Sequence, residues 1–279
     1  MPRLMLLVGI TTASMALSNG PTRFLGRDRI PGADVRVGGA ASIAQDQVPG
    51  GVQVSPGDII LDAIRAMESR DSSVLTRWRR ELVEEERSGS SSRSDVARKA
   101  TLGLAAAAWV TFQVDEAEDR LANLVGGSLS EEGGQLAADP FTPFAWIVLA
   151  EVAAGQAQLA KADSAFARAL TVSEELDIRR ARAWSLIRLA NIRGRLSGDP
   201  GVAARLLAEA GPLLEADDSF LRGQFHCVRA GNDLDGVWTA GADARAGLRF
   251  ANQAGIRRLH AACLHVLASD QMRRGQANE

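Results

Sequence analysis

The chain has no tyrosine, two lysines (Lys99 and Lys161), two cysteines and three histidines in 279 residues. Each shortage excludes something. Two cysteines, Cys227 and Cys263, do not make a disulfide framework, and their spacing fits neither a zinc ribbon nor a redox dithiol motif. The three histidines, His226, His260 and His265, are the whole supply of side chains that titrate near neutrality, a thin inventory for acid–base chemistry. No Gly-x-Ser-x-Gly elbow, Gly-x-x-x-x-Gly-Lys loop or His-Glu-x-x-His pair is present, so the chain reads as a non-enzyme with no cofactor and no metal. Clusters of valine, isoleucine and aromatics are nearly absent, which argues against strands. A formal charge of −2 offers no bulk attraction for nucleic acid or an anionic membrane. The carboxylate run Glu84–Glu86 reads as a solvated face.

What is abundant is alanine and leucine, the composition of helices that approach each other closely. At the N-terminus, Arg3 precedes an apolar run from Leu4 to Ile10, with small residues at Ser14, Ala16 and Ser18. Residues 1–18 resemble a short secretory signal peptide; the alternative is a disordered tail with a chance apolar patch. Export to the periplasm or outside follows from the first and a cytoplasmic location from the second. The stretch is too short and too polar for a membrane span. Residues 19–54, rich in Gly, Pro, Ala and Asp without a period, read as a disordered linker.

Ordered structure is expected from Ser55-Pro56-Gly57-Asp58, where a cap serine precedes a proline at the first helical position and a carboxylate follows the cap by three residues. Residues 55–93 then form an N-terminal helical hairpin, its second helix turning Val74, Leu75, Trp78 and Leu82 to one face. From residue 94 to 279 the pattern repeats. Expected helices are 95–112 with 114–125, 143–155 with 157–176, 179–196 with 200–215, 219–231 with 236–254, and a last helix, 256–274. Thr142-Pro143 and Asp199-Pro200 are read as further cap-plus-proline starts. The second helix of each pair carries a small residue followed at four and seven positions by packing residues. In chain order these are Ala117, Leu121 and Leu124; Ala162, Phe166 and Ala169; Ala203, Leu207 and Ala210; and Ala240, Ala244 and Gly247. One such stripe is a buried helical face. Its recurrence at about one hairpin length predicts stacked hairpins.

Within 143–170, the large, small and aromatic positions Trp146, Leu149, Ala150, Ala153, Leu159, Ala162, Phe166, Ala169 and Leu170 resemble the tetratricopeptide repeat. The resemblance implies an all-α fold, a right-handed α-solenoid of helical hairpins, across roughly residues 95–275. Two departures stand out: the turn glycine comes two places early, at Gly155, and no proline follows Leu170. A weaker likeness, resting on Arg222–Arg229, is to bacterial repeat arrays that precede caspase-like peptidase domains of the CHAT type.

In that family the first helix of each hairpin faces a concave groove. Carrying over the frame points Ser185, Arg188, Ile192 and Arg195, then Arg222, Phe225, Arg229 and Asn232, then His265, Ser269 and Met272 into it. Four arginines and an aromatic suit an acidic peptide or a C-terminal carboxylate, because guanidinium groups grip carboxylates bidentately. The alternative is that arginine is simply this chain's solvating cation. Aligning the last repeats also brings His226 and Cys227 near His260 and Cys263. The thiols are read there as small buried hydrophobes, with a metal or disulfide pairing as the lesser alternative.

The resemblance thus implies a scaffold that binds a protein or peptide, with no nucleic acid partner. The rival is the regulatory array of a larger protein. The last helix carries apolar residues on more than one side (Leu259, Ala262, Leu264, Val266, Leu267, Met272), as if cut mid-repeat, which predicts self-association through it.

Overall fold

The computed structural model describes residues 54–89, 94–126, 139–232 and 240–273. The signal-peptide and linker readings over 1–53 and the expected helix start at 236–239 lie outside the described residues. Those residues are all-helical, without a strand among them: α1 (Pro56–Ser69), α2 (Ser73–Arg87), α3 (Asp95–Val110), α4 (Val114–Gly126), α5 (Thr142–Gly155), α6 (Leu159–Glu175), α7 (Arg179–Ser197), α8 (Pro200–Ala210), α9 (Ser219–Asn232), α10 (Ala240–Ala254) and α11 (Arg257–Arg273). None of these helices is long and apolar enough to cross a membrane.

Local chemistry starts them. Ser55 Oγ accepts from the Asp58 amide with Pro56 at the first turn, Ser94 Oγ accepts from Ala97, and Asp199 Oδ1 accepts from Gly201 ahead of Pro200's helix. Thr142 is not a cap: α5 begins at Thr142 itself, and the chain before it is turned by Asp139, which accepts from the Phe141 amide. α8 is shorter than expected. It stops at Ala210 and gives way to a 3₁₀ turn over Gly211–Leu213, because Pro212 has no amide hydrogen to continue the ladder.

Several helices stop in the same way. The amide of the second or third residue past the helix returns to a carbonyl five residues back, at Asp71→Ala66, Gln113→Ala108, Gln158→Ala153, Ile178→Ser173 and Ile256→Ala251. The residue between is left-handed: Arg70, Phe112, Ala157, Asp177 and Gly255. This closing turn satisfies the last carbonyls and reverses the chain within three residues.

Each helix packs on the next, and from α1 onward each odd-numbered helix also packs on the following odd-numbered one. The four stripes on α4, α6, α8 and α10 are all buried. On α8, Ala203, Leu207 and Ala210 are the three buried residues of an otherwise wet helix, so Leu207 is the one large side chain that α8 fully commits to the core. Trp146 and Leu149 are half-buried at the margin of that core, whereas Ala150, Ala162, Phe166 and Ala169 are fully enclosed. α2 seats Trp78 on Gly103 of α3, where a Cβ would lie 2.7 Å from the indole ring.

α1 breaks the pattern. It lies against α3, yet its start reaches α5 and α7 and its end reaches the α10–α11 turn. Asp58 and Ser55 bind Arg180 of α7 at 2.5 and 3.1 Å, and Arg180 also meets Asp218 at the start of α9 at 2.8 Å. At the other end Arg65 Nε donates to the Ala254 carbonyl, and the Glu68 carboxylate accepts from the Arg257 and Arg258 amides at 2.7 and 2.9 Å. Ile59, Ile60, Leu61 and Ile64 are enclosed, worth on the order of 6–12 kcal/mol of apolar transfer as an upper bound. That exceeds what the polar contacts at its ends contribute. α1 is therefore part of the core.

Candidate functional site

Past its first residue, Thr142, α5 is apolar along its length except for Glu151, and that carboxylate is buried. A buried carboxylate requires a cation, and Arg188 of α7 supplies it, donating to Glu151 Oε2 at 2.7 Å while lying 5.8 Å from the Phe166 ring centroid. Arg188 Nε is buried without a hydrogen-bond partner. Two turns further along α7 stands Arg195. It is exposed to solvent, yet burial first, and the neighbouring Arg188 guanidinium second, hold its pKa below the usual arginine value. No carboxylate of the described residues forms an ion pair with Arg195.

The chain of charges continues across to α11. Arg258 is desolvated by burial, which lowers its pKa, against the raising fields of Glu68 and Glu151. Its terminal nitrogen donates to the Val110 carbonyl at the end of α3, and its guanidinium covers Trp109 at 5.1 Å. The order Arg195, Arg188, Glu151, Arg258, Glu68 therefore joins α7, α5, α11 and α1.

The remaining residues expected in one groove sit elsewhere. Arg229 and His226 both turn onto Asp243 of α10, Arg229 Nε at 2.6 Å from Oδ2 and His226 Nδ1 at 2.9 Å from Oδ1. Burial alone would raise the Asp243 pKa; the hydrogen bonds and charges of Arg229 and His226 overcome it and hold the carboxyl below its ordinary value. Arg222 stacks on Phe250 at 4.4 Å and donates to the Ala216 carbonyl, and Phe225 meets His226 edge-on with Arg229 over its ring at 5.5 Å. These four side chains fasten α9 to its neighbours. Ser185 and Ile192 are buried, and Asn232 donates to the Val228 carbonyl. His265 and Met272 are exposed on α11. The packing residues of α8 take no part in a binding surface: Leu207 is 2% exposed and Ala203 and Ala210 are fully covered, so a ligand reaches none of them.

The two cysteines are not free thiols. Cys227 of α9 and Cys263 of α11 are joined as a disulfide, with Cα atoms 5.2 Å apart. Packing of α11 on α9 brings them together, and with both sulfurs in the bridge the four-residue metal alternative has no thiolate donors.

The sequence reading missed Glu151, Glu68, Arg258 and Asp243. Glu151 carries a signal of its own, a single charge within a helix of uniformly apolar residues. No protein-family model matches the chain, and comparison with curated proteins and with solved structures finds no similar protein.

Proposed function

We propose that the chain is a protein-interaction module, a right-handed α-solenoid of tetratricopeptide-like hairpins, which holds an acidic segment of a partner protein against Arg188 and Arg195. The packing of successive odd-numbered helices supports the stacked-hairpin reading. The observation that carries the binding reading is Arg195: an exposed guanidinium beside a second guanidinium, with no carboxylate of the described residues paired to it. Glu151 fixes Arg188 by one terminal nitrogen, and the Arg188 side chain keeps 20% of its surface exposed. A partner carboxylate completes the set, taking the fork of Arg195 and sharing Arg188 with Glu151. Such a preformed site loses little ordering entropy on binding, and no bond is made or broken.

Fluorescence anisotropy with a labelled glutamate-rich peptide tests this. Arg195→Gln is expected to weaken binding by roughly ten-fold or more, since hydrogen bonds to charged groups contribute about 1.5–3 kcal/mol. Its melting temperature stays unchanged, because no ion pair is lost. Arg188→Gln lowers both affinity and stability by stranding Glu151. Full-strength binding by the Arg195→Gln protein overturns the assignment, and loss in Arg229→Gln instead places the acidic segment at the α9–α10 cluster.

A further inference from the structure

α11 is thinly held. Of its described residues only Leu259, Cys263 and Asp270 are buried, along one narrow stripe, whereas α7 is buried around most of its circumference. Each of the three meets a glycine. A Cβ at Gly223 would lie 2.9 Å from Leu259, one at Gly241 would lie 3.0 Å from Asp270 Oδ2, and one at Gly247 would lie 2.5 and 3.0 Å from the sulfurs of Cys227 and Cys263. α9 and α10 thus present a seat with side chains removed where α11 comes closest. Leu264 and Met272 face solvent on the opposite side, so α11 has no helix to hold it there.

We propose that the Cys227–Cys263 bridge is a redox latch: it keeps α11 in its seat and thereby keeps the last helix closed on the first. The bridge spans 36 residues and lies midway along the stripe. Beyond it, α11 is held by the Leu259 and Asp270 contacts, by Arg258 on the Val110 carbonyl and the Trp109 ring, and by the Glu68 carboxylate at its first amides. A dithiol reductant delivers two electrons and two protons, the Sγ–Sγ bond breaks, two thiols form, and the reductant leaves as its own disulfide. Reoxidation by a disulfide donor runs the same exchange backwards. Both sulfurs are buried, so the reductant meets the bond only in molecules whose α11 has lifted, and reduced molecules lack the covalent force that reseats it. Lifting carries Arg258 away from Glu68 and Glu151, so the charge chain at α7 and α5 is the part of the molecule that registers the change.

Hydrogen–deuterium exchange on the full chain tests the latch, before and after dithiothreitol with alkylation, alongside a Cys227→Ala/Cys263→Ala protein. The expected result is exchange at least ten-fold faster over 257–273, smaller changes in α3–α7, and a melting temperature about 10 °C lower. Equal protection of α11 in oxidised and reduced protein overturns the proposal. So does alkylation of both thiols in protein purified without reductant. If the double variant fails to fold, the dithiothreitol arm still decides, since it starts from folded protein. Peptide affinity is not the readout, so this outcome is independent of whether Arg195 binds carboxylates.

Discussion

Asp243 shows how a single buried carboxylate organises its surroundings. It has hydrogen-bond partners on two sides, Arg229 and His226, and both belong to the helix it must hold. Burial opposes its ionised form, yet the two partners more than compensate, so its pKa in the folded protein lies below the ordinary 3.8. A group depressed in this way contributes stability that is fully present above its unfolded pKa and is lost as pH falls through the folded one. The stability gap between the natural protein and Asp243→Asn should therefore be constant near neutrality and shrink below about pH 4. Urea unfolding at a series of pH values measures it; a gap that stays constant to about pH 2.5 would show that Asp243 is not depressed. Glu151 is likewise a buried carboxylate held by an arginine, Arg188, which leaves Arg195 without a carboxylate of its own among the described residues.

Among the elements, the reversing turns set the register of the helices. Four of their left-handed positions are held by residues with a Cβ: Arg70, Phe112, Ala157 and Asp177. Left-handed backbone costs a non-glycine residue roughly 1–2 kcal/mol. The turn after α5 is the informative case. Gly155 ends the helix, where its freedom is not needed, while Ala157 at φ 59° occupies the position a glycine suits. Ala157 is exposed and has no packing to lose. Ala157→Gly should stabilise the protein by up to about 1 kcal/mol, whereas Gly155→Ala should cost nothing or help slightly. Chemical denaturation of the two single variants settles the sign.

Across the whole molecule, α1 is the helix that ties distant parts together. Its start is bound to Arg180 of α7 and its end caps α11 in place of a local residue, so contacts 122 to 190 positions apart close α1 on α11. Glu68 is the joint. Its carboxylate takes two orphan amides of α11 and stands 3.8 Å from Arg258 Nε. Glu68→Ala should cost about 2 kcal/mol, the sum of a lost cap and a cation deprived of its nearest carboxylate. Amide exchange should quicken at the start of α11 and at the end of α1 together; exchange confined to one of the two would mean that they are not coupled.

Helix positions, serine and proline starts and small-residue stripes such as Ala203, Leu207 and Ala210 were legible in the chain because each depends on residues within about two turns of one another. An amide needs a cap three residues away, and a buried face repeats every three to four. The grouping of the arginines was not legible, nor were the seat of α1 and the pairing of Cys227 with Cys263. Periodicity says that Arg188, Arg222 and Arg229 share helical faces, but not that Glu151 claims the first, Phe250 the second and Asp243 the third. Those choices were made by the tertiary structure, because a buried charge or thiol finds its partner through the path of the backbone, which sequence spacing alone does not contain.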